Sequence, residues 1–237
     1  MLKLLLGLFA PLIICFQMNA QQMEIINAGI SGNNTKDLLA RLPHVLEEKP
    51  DWVLLMVGTN DMLNSNKFVP YEAYQKNLNS LVQKLRKNGA SVVLVTPPTV
   101  DSLYLFERHN SENFQKSPKE KLEFVRTCMQ DLSKQHGVYL VDVFQAFLNA
   151  NIPVHNEDGL IMNEKNFNKR DGVHPTPEGY RFIAKTIAQS LNDGKVRLKG
   201  KVICFGDSIT YGLDVEGEGT VEGETYPAYL KQILSGK

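Results

Sequence analysis

Four short polar blocks in this chain carry residue types that can do chemistry, and each lies just beyond an apolar run or at a helix entrance. Phe205 is followed by Gly206-Asp207-Ser208-Ile209-Thr210. A serine at a turn from strand into helix is exposed. Its own N–H belongs to the helix-start amides that have no intrahelical partner, so one residue can supply an attacking hydroxyl and an oxyanion donor. Asn27-Ala28-Gly29-Ile30-Ser31-Gly32-Asn33 places glycine where backbone N–H groups can come close to a ligand. Gly58-Thr59-Asn60-Asp61 offers a side-chain amide. Asp171-Gly172-Val173-His174-Pro175 puts a carboxylate three residues before a histidine. Singly, each block has a plain structural reading, since Gly-Asn-Asp runs make turns and an Asp-x-x-His can be a structural hydrogen bond. Their joint occurrence at strand ends and helix starts is what points to a site.

The elements that must position these blocks can be read from hydrophobic pattern. Residues 24–27, 52–57, 91–95, 138–142 and 201–205 are short runs rich in Val, Ile and Leu without strict alternation, as expected of parallel strands covered on both faces. Between them, Tyr74, Leu78, Leu81, Val82 and Leu85 form a helical stripe closed by Gly89. Ser117-Pro118-Lys119-Glu120 is a capping box that opens a helix with Leu122, Val125, Cys128 and Leu132 inward. Thr176-Pro177-Glu178 starts another, and a last helix carries Tyr226, Leu230, Ile233 and Leu234. Alternating strands and helices predict an α/β fold with a mostly parallel sheet, whose ligand crevice lies beyond the strand ends. Residues 97–116 and 149–170 are longer than ordinary connections and read equally as binding loops or as surface decoration. Residues 214–224, rich in Gly and Glu, read as a mobile solvated loop.

Together the blocks resemble the SGNH subgroup of the GDSL hydrolase family, named for its Ser, Gly, Asn and His. The matching stretches are FGDSITYG, NAGISGNNTKDLLARLP, VGTND and DGVHPTPEGY. The resemblance implies a flavodoxin-like three-layer α/β/α sandwich with a five-stranded sheet. It also implies carboxylic-ester hydrolysis of the kind found in the bacterial lysophospholipase/thioesterase and carbohydrate-esterase branches. Carried onto this chain, it makes Ser208 the nucleophile, His174 the base and Asp171 the group that orients it. The oxyanion donors become the N–H of Ser208, the N–H of Gly32 and the side-chain amide of Asn60. Asp207 and Asp61 are read as orienting or turn-forming residues. No metal or organic cofactor is required. The implied substrate is a small-molecule, glycan or lipid ester. Short acyl groups and carbohydrate O-acetyl esters are favoured because no long apolar loop surrounds the nucleophile block, and a lysophospholipid stays in range.

The block order departs from the family, in which the nucleophile block comes first; here it occupies residues 201–212, after the other three. Joining the C-terminal helix to the strand at 24–27 restores the usual order, so the chain reads as a circular permutant with residues 192–200 linking the former ends. The family strand order 2-1-3-4-5 then requires strand 201–205 to lie between strands 24–27 and 52–57.

Composition bounds the rest. With 237 residues and a 43% hydrophobic fraction, the chain can build one sizeable core. Equal numbers of basic and acidic residues, 26 of each, give no electrostatic case for nucleic acid. Residues 1–20 read as an export signal: Lys3, an apolar run from Leu4 to Phe16 too short to span a bilayer of roughly 30 Å, then Ala20 as the cleavage point. The bulky Ile14 before Cys15 speaks against a lipoprotein anchor. Residues 21–237 are then a single periplasmic or secreted domain. Cys128 and Cys204 read as small buried hydrophobes, Trp52 as packing, and Ser31 as a loop residue that does not directly follow a strand. His44, His109, His136 and His155 have no carboxylate at catalytic spacing and read as surface or loop residues. Two other enzyme or binding classes compete: acyl transfer to a sugar in place of water, and a non-catalytic carbohydrate- or lipid-binding module on the same fold. A phosphate-binding P-loop protein is excluded by the absence of G-x-x-x-x-G-K-[ST].

Overall fold

The computed structural model describes residues 23–110 and 114–236, so the expected leader at 1–20 lies outside the described residues. Five strands form one parallel sheet: β1 (Glu24–Gly29), β2 (Trp52–Met56), β3 (Ser91–Val95), β4 (Tyr139–Val141) and β5 (Lys201–Gly206). Their order is β1-β5-β2-β3-β4. Strand β5 is therefore internal, as the sequence reading required: Ile203 stands opposite Ile26 of β1 on one side and Val53 of β2 on the other.

Successive side chains of a strand point to opposite faces, so each central strand feeds two cores. Val53 and Leu55 of β2, with Ile203 and Phe205 of β5, pack with α1 (Thr35–Glu47), α3 (Tyr71–Lys87) and α5 (Pro118–His136). Leu54, Met56, Val202 and Cys204 face the other layer, built mainly on α6 (Val143–Asn149), α8 (Pro177–Asp193) and α10 (Tyr226–Leu234). The result is a three-layer α/β/α sandwich. Val202, Ile203, Cys204 and Phe205 are all essentially inaccessible to solvent. Burying a large apolar side chain is worth about 1.5–3 kcal/mol, so β5 is a major contributor to both cores.

The helices begin where their caps are. Asn34 and Asp37 form a reciprocal capping box at α1, and Ser117 and Glu120 do the same at α5. Gly137, with φ 60°, closes α5 in the left-handed conformation that glycine adopts without penalty. Thr176 caps α8, with Pro177 at the first helical position.

Three connecting segments differ from expectation. The segment 97–116 contains α4 (Ser102–Arg108), started by Asp101, whose carboxylate accepts from the Leu103 N–H. Within 149–170 lies α7 (Glu164–Phe167). Segment 214–224 is fastened rather than loose. Asn27 Nδ2 donates to the Thr220 carbonyl, the Glu224 N–H bonds to Glu216, and Val215 is buried. Its composition reads as solvated because the partner that fastens it lies at the far end of the sequence. Among the described residues, no helix is long and apolar enough to cross a membrane.

Candidate active site

The two remaining helices are short and both stand at strand ends: α2 (Thr59–Leu63) after β2 and α9 (Ser208–Tyr211) after β5. Asp207 caps α9 by accepting the Ile209 N–H at 2.9 Å, which places Ser208 at the first helical position with its hydroxyl at the carboxyl edge of the sheet. His174 Nε2 lies 3.0 Å from Ser208 Oγ. On its other side, His174 Nδ1 is 2.9 Å from Asp171 Oδ2 and 3.1 Å from Oδ1. With Nδ1–H directed at the carboxylate, Nε2 is the acceptor for the serine hydroxyl. All three residues are buried.

Asp171 is itself held. Its Oδ1 accepts the N–H groups of Val173 at 2.8 Å and His174 at 2.6 Å. Burial alone would raise its pKa. The hydrogen bond and charge of His174, with the Arg108 guanidinium, outweigh that and hold the carboxyl well below the usual carboxylate range. Arg108 Nη1 lies 3.3 Å from Asp171 Oδ2, and Nη2 donates to the Asp171 carbonyl at 2.8 Å.

The two long segments brace this loop from opposite sides. From one side, the Asp101 N–H donates to the Gly172 carbonyl at 2.7 Å. From the other, the Gly172 N–H donates to Met162, and the Met162 N–H donates to His174, with Ile161 bridged to Pro175. They are struts under the Asp–His pair, and the first also contributes Leu105, Arg108 and His109 to the pocket beside it.

The glycine and asparagine blocks meet Ser208 across the pocket. Gly32 has φ +75° with open space where a side chain would begin, so the backbone conformation, not crowding, demands glycine. Gly29 is required for the opposite reason: a Cβ there would stand 2.1 Å from the Tyr211 N of α9. Among the described residues, neither the Gly32 nor the Ser208 N–H donates to a protein acceptor. Asn60 Nδ2 donates to the Asn33 carbonyl at 2.9 Å, while Asn60 Oδ1 accepts from Asn64 Nδ2 at 3.1 Å. An amide nitrogen carries two N–H groups, so one remains for the pocket that Asn60 lines. That pocket holds about 140 Å³. Gly32, Asn60, His174 and Ser208 surround it, with Leu63, Leu105, Val173 and Leu213 as apolar walls.

The two acids that flank these positions, read as orienting or turn-forming, both accept hydrogen bonds. Asp61 accepts from Thr35 N–H at 3.0 Å and Thr35 Oγ1 at 2.5 Å, which ties α2 to α1. Burial pushes Asp61 up to about 6 against the opposing Thr35 bonds, and pushes Asp207 up to about 7 against its bond to Ile209. A carboxyl whose pKa is raised on folding binds its proton more tightly in the native state. Its contribution to stability is complete below the unfolded value near 4 and is lost as pH rises through the folded value. Thermal unfolding of the protein and of Asp207→Asn, followed from about pH 5 to about pH 8, is therefore expected to show the native protein losing ground to the variant. A pH-independent gap between the two midpoints would refute the raised Asp207 pKa.

Some functional residues escape a linear reading. Arg41 donates from Nη2 to the Gly206 carbonyl at 2.7 Å and from Nε to Asn33 Oδ1 at 2.7 Å, with its guanidinium 4.5 Å over the Phe205 ring. It thus joins β5 to the glycine block, and burial lowers its pKa to about 10. His109, read as a surface or loop residue, lies just after α4 and lines the pocket beside Ser208. His155, read as having no carboxylate at catalytic spacing, has Asp101 Oδ2 at 2.7 Å from its Nδ1, a pairing that spans two loops distant in sequence.

A family model for the GDSL-like lipase/acylhydrolase family matches residues 15–182. The chain belongs to that family. Its relatives include an arylesterase of Vibrio mimicus, 27% identical over 73% of this chain and 72% of the relative. Another is an acetylxylan esterase of Geobacillus stearothermophilus, 25% identical over 74% of this chain and 75% of the relative. Among solved structures, LAE5, described as an alpha/beta hydrolase enzyme from the metagenome of Lake Arreo, Spain, superposes with a TM-score of 0.54. It is 26% identical, and the match covers 71% of each chain. This GDSL-family protein is accordingly a carboxylic ester hydrolase of SGNH type.

Proposed function

We propose that the protein is a serine esterase working through an acyl-enzyme on short-chain or carbohydrate O-acetyl esters. The observation that carries this reading is the continuous chain of contacts from Asp171 through His174 to Ser208 Oγ, at 2.9 and 3.0 Å. Ser208 Oγ attacks the ester carbonyl as His174 Nε2 takes its proton, and the same nitrogen returns that proton to the departing alcohol. Asp171 holds the tautomer and stabilises the imidazolium. The Ser208 and Gly32 N–H groups and the Asn60 amide receive the oxyanion; preorganised donors of this kind are each worth about 3 kcal/mol. Water then repeats the attack on the acyl-enzyme. The small, partly apolar pocket supports the preference for short acyl groups.

The same reading takes residues 21–237 as one circularly permuted domain behind an export leader, in the periplasm or outside the cell. The place of β5 between β1 and β2 supports permutation, as does a family match that stops ahead of the nucleophile block. The test is chemical. A fluorophosphonate probe is expected to form one adduct per chain on the Ser208 peptide, and p-nitrophenyl acetate to be turned over faster than the decanoate. Absence of both adduct and turnover would leave the fold as a binding module.

A further inference from the structure

Lys121 occupies a position where an apolar residue belongs. On α5 it shares a stripe with Val125, Cys128 and Leu132, at helical spacings that put all four on the inward face. It is only 5% exposed. Its ammonium donates to the Met62 carbonyl at 3.0 Å and lies 4.4 Å from the centre of the Phe114 ring and 4.9 Å from that of Phe68. Among the described residues, no carboxylate pairs with it. Burial accordingly draws its pKa down. Among the described residues, this buried ammonium has one carbonyl and two ring faces for compensation and no counter-charge.

The space beside it is open. Met62, Asn64, Ser65, Phe68, Phe114 and Lys121 line a cavity of about 250 Å³. This cavity adjoins the catalytic pocket. Asn64 lines both, and the wall between them includes Ser65 Oγ, on one side, 3.0 Å from His109 Nδ1, on the other. Helix α2 contributes to both as well, presenting Asn60 to the catalytic pocket and Met62 to the second cavity.

We propose that this second cavity is a subsite for an anionic group, a carboxylate or phosphate carried by the ester substrate, with Lys121 as its counter-charge and Phe68 and Phe114 flanking the connecting stem. The inference rests on the esterase reading for the location of the scissile bond. The charge shortage at Lys121 is independent of that reading.

Paired esters provide the kinetic test. p-Nitrophenyl monoesters of dicarboxylic acids of increasing length are compared with neutral alkanoates of the same length, and a 1-acylglycerol 3-phosphate with the matching monoacylglycerol. In at least one pair the anionic member is expected to have a kcat/KM at least about tenfold higher, as a desolvated charge pair provides. That ratio is expected to collapse in Lys121→Met and in Lys121→Gln, and to survive in Lys121→Arg. The first pair type reports a group on the acyl side and the second a group on the alcohol side. Equal use of charged and neutral members throughout, or a ratio untouched in both neutral variants, overturns the subsite. Using a ratio separates charge recognition from general damage, and circular-dichroism melts verify folding.

A binding arm keeps the subsite apart from the chemistry. Inorganic phosphate and succinate are titrated calorimetrically into Ser208→Ala with and without Lys121→Gln. Lys121-dependent binding supports the subsite even if no ester is hydrolysed. Turnover of neutral esters without any Lys121-dependent binding or ratio leaves the esterase standing and removes the subsite.

Discussion

Ser208→Ala is expected to reduce kcat/KM for p-nitrophenyl acetate by roughly 10⁴-fold or more while leaving the fold intact. The hydroxyl is small, and its neighbours Asp207 and Ile209 are held by a cap that does not involve it. Its removal is therefore expected to take away the proposed nucleophile and little else. His174→Ala should cost about as much, and combining the two should add little, because nucleophile and base act as one unit. What survives is the stabilisation supplied by the oxyanion donors and by binding. Rates from highly purified protein, with melting curves alongside, decide the matter. A variant retaining even a tenth of native turnover would move the nucleophile elsewhere.

The second large effect is expected of Asp171→Asn, at about 10⁴-fold in kcat. The native carboxylate accepts at once from His174 Nδ1 and from the N–H groups of Val173 and His174, with Arg108 alongside. An asparagine oxygen can keep the backbone bonds, so the loop survives. Its NH₂, however, then faces Nδ1 and favours the tautomer that carries hydrogen on Nε2, which cannot accept the serine proton. Arg108 would also lose the charge it now stands beside. The measurement is kcat across the pH range together with fluorophosphonate labelling rate. Near-native values for both would relegate Asp171 to holding the loop.

How far the sequence could be read depended on whether a signal was local. The five strands were legible because each is a short apolar run buried on two faces, and the structure moves their ends by no more than two residues. The Ser117–Glu120 capping box was legible because all its atoms lie within four residues, whereas the Asn34–Asp37 box, equally local, went unread inside the glycine block. The Ser208, His174 and Asp171 positions stood out because their types recur in a recognisable wording, and the fold brings all three into contact. Arg41 could not be read in this way: its acceptor, the Gly206 carbonyl, is 165 residues away, and a helical arginine is ordinarily solvated. Arg108 meets Asp171 across 63 residues, and His155 meets Asp101 across 54. Lys121 went unread beside the inward stripe of Leu122, Val125, Cys128 and Leu132, because a lysine on a helix is ordinarily solvated. What the spacing could not disclose was the cavity, which needs Phe68 and Phe114 brought together from two other segments.

The internal position of β5 has a consequence for how the molecule comes into being. Among the described residues, strand β1 has a single neighbour in the sheet, β5, and their paired residues are separated by 177 positions, from Glu24 opposite Lys201 onward. Until that late strand is available, β1 has nothing to pair with and one side of β2 is open, an unpaired edge of the kind that invites wrong partners. Closing so long a loop is entropically slow, and such non-local pairing retards folding. Because β5 also delivers Ser208, the step that completes the sheet is the step that installs the hydroxyl. On the proposed assignment, a chain that has not yet inserted β5 holds His174, Asp171, Gly32 and Asn60 but not Ser208 in place, and is expected to be inert until that last strand is inserted.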